Sequence, residues 1–107
     1  MNAGSPASTR PLCIAPDHPA LPGHFPGRPI VPGVVLLEAV LDAASGLLGR
    51  EPPVAELSHA KFLAPLLPGE HAEITLECEG AALRFRVVRA GQVLAQGHFV
   101  LAPEPPT

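Results

Sequence analysis

The chain has 107 residues, 47% of them hydrophobic and 16% charged, which allows one modest apolar core and leaves too little length for a second domain. Its net charge of −3, with seven Lys and Arg against ten Asp and Glu, excludes a nucleic-acid surface, which needs a clustered basic excess. No stretch has the basic flank and apolar core of a signal peptide, and none has the ~20 apolar residues that cross a bilayer, so a cytoplasmic location without a membrane span is expected.

Met1 to Arg10 is rich in small polar residues and is expected to be flexible. Leu12 to Ala15, closed by Pro16, reads as a first strand. Cys13 and Cys78 have no metal-ligand spacing; both are expected on strands as small buried hydrophobes in a reducing compartment. From Pro16 to Pro32 there are six prolines in seventeen residues, so this segment is a shaped loop rather than a helix or a paired central strand.

Gly33 to Gly49 follows with apolar residues around almost its whole circumference. Such a helix is expected to be buried nearly all round, as a central element of the domain. Its polar residues Glu38, Asp42 and Ser45 fall at i, i+4 and i+7, on one stripe. Gly49 and Arg50 end it, and Pro52 and Pro53 prevent its continuation.

Beyond the helix the apolar period falls to two. Val54 to Phe62 reads as a strand ended by the proline-containing turn Ala64 to Gly69. In the next strand Ala72, Ile74, Leu76 and Cys78 alternate with His71, Glu73, Thr75, Glu77 and Glu79. Gly80 and Ala81 form a two-residue loop that pairs Glu79 with Ala82, Glu77 with Arg84 and Thr75 with Arg86 on the wet face. Cys78 with Leu83, Leu76 with Phe85 and Ile74 with Val87 then meet on the core face. A second tight turn at Ala90 and Gly91 leads into Gln92 to Leu101, apolar on both faces and so suited to a subunit contact. Ala102 to Thr107 is expected to be a flexible tail. The predicted class is α+β: one domain over residues 11–101, a four-strand antiparallel meander after the helix, and a sheet curled around that helix.

The loop and the helix hold the residues suited to chemistry. His24 lies in Gly23-His24-Phe25-Pro26-Gly27, and Glu38 follows fourteen residues later. An imidazole and a carboxyl set in an apolar wall make a base and acid pair, because burial favours a protonated carboxyl that can donate. At the helix start, the unpaired N–H groups of Gly33 and Val34 and the positive dipole end suit a developing oxyanion. His18 and His24 have no third ligand at metal-site spacing, and no metal is expected. His59, His71 and His98 fall on predicted strands and are expected to hydrogen-bond or face water. Arg28, Arg84 and Arg86 are the candidates for an acidic partner, with Arg84 also matched to Glu77.

The run Pro22-Gly23-His24-Phe25-Pro26-Gly27-Arg28-Pro29-Ile30-Val31-Pro32-Gly33-Val34-Val35-Leu36-Leu37-Glu38-Ala39 resembles the signature of the FabA/FabZ family of 3-hydroxyacyl-acyl-carrier-protein dehydratases, which have the hotdog fold. Ala60-Lys61-Phe62, Pro65 and Pro68-Gly69-Glu70 resemble the strand and turn after that family's helix. The resemblance implies loss of water from a (3R)-3-hydroxyacyl thioester to give the trans-2-enoyl product. In that scheme His24 is the base, Glu38 the acid and the Gly33 N–H the oxyanion donor, with Arg28 a contact for the carrier protein.

A Glu at position 38 is similar to the branch of the family that dehydrates without isomerising. No cofactor is implied, since the phosphopantetheine arm belongs to the acyl carrier protein. A dimer is implied, homomeric or heteromeric, whose sites take His and Glu from opposite chains. Two departures stand out: the segment before His24 is short, and Asp42 stands where the family commonly has Gln. Compact versions of the fold occur in specialised fatty-acid-like pathways such as aryl-polyene assembly. Two other readings remain open from the residues: a non-catalytic acyl-binding subunit that pairs with an active paralogue, and a hotdog thioesterase.

Overall fold

A computed structural model of the chain describes residues 7–19, 21 and 30–103. His24 and Arg28, the first six residues and the last four lie outside the described residues. The elements in order are β1 (Ala7–Leu12), α1 (Gly33–Leu48), β2 (Val54–Phe62), β3 (Ala72–Glu79), β4 (Ala82–Arg89) and β5 (Gln92–Leu101). The five strands form one antiparallel sheet in the order β1-β3-β4-β5-β2. One long helix with this sheet is the α+β hotdog arrangement expected from the sequence.

Two expectations about connectivity need correction. Strands β3, β4 and β5 form a meander, but β2 pairs with β5 rather than with β3. The segment after β2 therefore crosses from one side of the sheet to the other, a path longer than a hairpin turn that the prolines at 65 and 68 keep extended. The first strand also begins earlier than its apolar run. Ala7 to Leu12 pairs with β3 from Ala7 opposite Glu77 to Leu12 opposite Ala72, so Ala7 to Arg10 are strand residues. Edge pairing needs backbone donors and acceptors and no apolar side chains, which is why composition did not disclose it. Cys13 lies just past β1 and is exposed, and Cys78 is half-buried; both are free thiols.

The β3–β4 hairpin has the predicted register at every pair. Arg84 lies 3.7 Å from Glu77 and 3.4 Å from Glu79 on the solvent face. Such exposed pairs contribute at most about 1 kcal/mol, so the register is set chiefly by the buried partners Ile74, Leu76, Leu83, Phe85 and Val87. At the next turn Ala90 and Gly91 both have positive φ, 49° and 83°, the backbone a two-residue hairpin loop requires. A register shift beside this hairpin places Val93 opposite Val88 and Ala95 opposite Val87. Leu94 is the extra residue between them, and it is fully buried.

Helix α1 ends at Gly49 in the left-handed conformation, whose N–H donates to the Ser45 carbonyl at 2.9 Å. Its buried residues are Val35, Leu36, Val40, Ala43 and Ala44. They join Leu12 of β1 and Ile74 and Leu76 of β3 in the core cluster. The all-round burial read from composition does not hold within one chain. Val34 is 60% exposed, and Glu38 and Asp42 are exposed on the same outward stripe. The guanidinium of Arg10 lies across α1 at Gly46, where any side chain would overlap it.

Candidate active site

The start of α1 is set by its approach. Val31 and Pro32 are buried, and the Val31 N–H donates to the Leu66 carbonyl at 2.9 Å, tying the helix entrance to the connector after β2. Pro32 is the N-cap, in extended conformation, and its carbonyl accepts from Val35 and Leu36 at 3.0 and 3.3 Å. The N–H groups of Gly33 and Val34 have no acceptor among the described residues. Together with the helix dipole they form a small positive site suited to an oxyanion.

Gly33 lines an apolar cavity of about 550 Å³, walled by Pro32, Leu36 and the segment from Phe62 to Leu66. The ring of Phe62 covers Gly33: a Cβ at position 33 would lie 2.9 Å from Phe62 Cζ, closer than ordinary packing allows. Glycine here is thus a matter of space. The fit leaves Phe62 51% exposed, with Leu63 beside it also exposed. An apolar chain suits this hollow, and the Gly33 N–H at its edge suits a carbonyl oxygen that gains charge.

The expected residues are only partly brought together. Gly33 lines the cavity, whereas Glu38 does not; it points outward from α1 beside Val34, one turn away on the same stripe. The apolar wall expected around the Glu38 carboxyl is absent within a single chain. Arg84 and Arg86 lie on the sheet, at shallow depressions shared with Thr75, Gln96 and His98, away from the helix start. His59 and His98 are cross-strand neighbours with ring centroids 6.4 Å apart.

Sequence reasoning assigned no role to the cavity wall, although Phe62 and Pro65 stand in the segment that carries the family resemblance. It also missed a polar clamp under that wall. Arg89 donates to Glu70 at 2.7 Å, to the Pro65 carbonyl at 3.0 Å and to Gln92 at 3.1 Å. Glu70 accepts in addition from the Leu67 N–H at 2.8 Å. That N–H, chiefly, holds the Glu70 carboxyl below its ordinary value against the opposing effect of desolvation, with a further contribution from the Arg89 guanidinium.

The chain is 41% identical over 78 residues to the 3-hydroxyacyl-acyl-carrier-protein dehydratase FabZ of Thermus thermophilus, covering 65% of this chain and 52% of that one. It is 38% identical over 101 residues to the FabZ of Chlamydia trachomatis, covering 79% of this chain and 66% of the relative. It therefore spans between about half and two thirds of the length of these relatives. Among solved structures, the dehydratase heterocomplex ApeI:P from Xenorhabdus doucetiae superposes with a TM-score of 0.83 at 26% identity, covering 96% of this chain and 93% of that chain. The profile of the ApeI-like family, described as ApeI dehydratase, matches residues 5–99, and the chain belongs to that family.

Proposed function

We propose that the protein removes water from a (3R)-3-hydroxyacyl group held as a thioester on an acyl carrier protein, giving the trans-2-enoyl thioester. The observation that carries this reading is the Gly33 N–H, which has no acceptor among the described residues and lines an apolar cavity, with the Val34 N–H beside it. A thioester carbonyl bound there would gain acidity at C2, because charge moving onto its oxygen is met by fixed donors. His24 takes the C2 proton. Glu38 gives its proton to the C3 hydroxyl, which leaves as water while the double bond forms between C2 and C3. Exchange with solvent then returns a proton to Glu38 and removes one from His24. No cofactor takes part, and the pantetheine arm arrives with the carrier protein, for which Arg28 is the proposed contact. Fatty-acid-like synthesis, including the aryl-polyene type, is the proposed setting.

The site is proposed to be shared between two chains. Within one chain Glu38 stands outside the cavity, next to the exposed Val34. Among the described residues strand β2 has a neighbour on one side only, and it leaves Val54, Leu57 and Phe62 exposed. A second chain against β2 and the start of α1 would cover these side chains and enclose the carboxyl. The Xenorhabdus neighbour comes from a dehydratase heterocomplex, which favours, as a second reading, a different hotdog chain in that place.

Mixing inactive variants tests chemistry and assembly together. His24→Ala and Glu38→Ala should each be inactive on 3-hydroxyacyl carrier protein, followed by mass spectrometry. After subunit exchange, a shared site predicts recovery of roughly a quarter of full activity, since half of the dimers are mixed and each has one intact site. No recovery after confirmed exchange would exclude the shared site. Turnover by the wild-type chain only after a paralogue is added would favour the heteromeric reading.

A further inference from the structure

We propose that Arg89, at the end of β4, is a positioning residue for the helix start at Gly33, acting through the connector between β2 and β3. The proposal rests on the reading of Gly33 as oxyanion donor, and it adds a residue on the far side of the connector to the machinery of that site. The route is a short series of hydrogen bonds. Arg89 Nη1 donates to both the Pro65 carbonyl and Glu70 Oε1, at 3.0 and 2.7 Å, so it bridges the two ends of the turn from 65 to 70. The same Glu70 oxygen accepts from the Leu67 N–H, closing the turn from inside. Between these pins lies Leu66. Its side chain is fully buried, and its carbonyl accepts the Val31 N–H at 2.9 Å. Two residues later the chain reaches Gly33.

The connector has other attachments, and their placement makes the role of Arg89 specific. Leu63 and Ala64 donate to the Leu94 carbonyl at 2.7 and 3.2 Å, and Gly69 donates to the Ile14 carbonyl at 2.8 Å. These fix the two ends of the crossing. The stretch from Pro65 to Leu67, which includes the carbonyl that holds Val31, is bound by Arg89 and Glu70. Both side chains are partly shielded, with 25% and 34% exposure, so the pair is screened less than one fully in water. Nη2 also donates to Gln92, across the β4–β5 turn, which keeps the guanidinium plane in place. Arg89 therefore ties the hairpin tip, the cavity wall and the helix start into one unit, and a donor displaced by as little as an ångström loses much of its effect on a transition state.

The test compares Arg89→Gln, Arg89→Lys and a core variant, Leu83→Val, in the full-length chain. Backbone amide spectra report on the helix start, and turnover is measured with 3-hydroxyacyl N-acetylcysteamine thioesters of several chain lengths. In Arg89→Gln the Val31 amide should exchange on the order of tenfold faster and the Gly33 resonance should move. Its kcat should fall on the order of ten- to a hundredfold with KM within about twofold, the signature of a lost transition-state interaction. Arg89→Lys keeps the charge and one donor and should recover part of both effects. Leu83→Val lowers the melting temperature without moving either amide or kcat.

The proposal is overturned if Arg89→Gln behaves as Leu83→Val does, losing stability while Val31, Gly33 and kcat stay unchanged. If Arg89→Gln does not fold, Glu70→Gln, which keeps an acceptor for Leu67, carries the same expectations at smaller amplitude. A wild-type chain that turns over no thioester, by itself or with a paralogue added, would refute the dehydratase reading alone, because the amide measurements would still decide whether Arg89 positions Gly33.

Discussion

Phe62 lies against Gly33 so closely that a methyl group on Gly33 would sit 2.9 Å from the tip of the ring. This contact joins the end of β2 to the start of α1. It also separates two uses of Gly33, as the space that admits the ring and as the N–H proposed to hold the oxyanion.

Proline at position 33 isolates the second use. The first helical position accepts proline well, because its N–H has no intrahelical partner and its φ suits the helix, and Pro32 already has the extended backbone favoured before a proline. The clash with Phe62 is relieved by Phe62→Leu. The double variant Gly33→Pro/Phe62→Leu should fold like Phe62→Leu by circular dichroism. Relative to Phe62→Leu, its kcat should fall by on the order of a hundred- to a thousandfold, the usual effect of removing one oxyanion donor. Equal turnover by the two variants would show that the Gly33 N–H has no part in the reaction.

Glu38 offers the opposite separation, a residue with little structural role and a large proposed catalytic one. It is exposed on α1. Glu38→Gln should change the unfolding free energy of the monomer by no more than about 0.5 kcal/mol, as is usual for an exposed site without special contacts. Loss of a general acid should lower kcat by on the order of a hundred- to ten-thousandfold. Urea titration and a turnover assay on the same preparation check both halves. An unchanged kcat would remove Glu38 from the mechanism.

The parts of the fold legible in the sequence were those in which one local pattern had one outcome. The alternation from Ala72 to Glu79 and the loop at Gly80 specified the register of β3 with β4 down to each pair. The run from Gly33 to Leu48, bracketed by Pro32 and Gly49, specified the helix. Nothing local tells β2 to lie beside β5, since its partner is chosen by the path of a connector whose length permits either side. The site divides in the same way. Gly33 and Glu38 were visible as a helix start and a polar stripe, but the cavity and the Arg89 clamp depend on contacts between segments far apart in sequence. The apolar circumference of α1 predicts burial nearly all round. The exposure of Val34 shows that part of it is surface, which fits the proposed second subunit.

Glu70 should contribute a pH-dependent component of stability. Its carboxyl is held below 4.5 in the folded state, chiefly by the Leu67 N–H and also by Arg89. A depressed pKa means that the unfolded chain binds the proton more readily, so the stabilisation is present above the unfolded value and is lost as pH falls through the folded one. Relative to wild type, Glu70→Gln should be less stable at neutral pH, and the difference should shrink steadily below about pH 4.5. Urea midpoints measured from pH 7 down to pH 3 test this. A difference that stays constant over the range would mean that the charge of Glu70 contributes nothing.

Gly97 lies opposite Ala60, with the backbone of β2 close against it. A Cβ there would overlap the His59 carbonyl and lie 2.9 Å from Ala60 Cα, and both are backbone atoms of β2. Unlike the ring of Phe62, backbone held in a sheet cannot swing aside, so Gly97→Ala must push β2 away from β5 or break their register. The cost should fall near the upper end of the ~1–3 kcal/mol typical of overpacking, lowering Tm by roughly ten degrees. Because β2 is the strand proposed to meet a second chain, the same substitution should raise the fraction of monomer seen by light scattering. A drop in Tm at unchanged subunit number would place the subunit contact elsewhere, and an unchanged Tm would show that β2 has room to move.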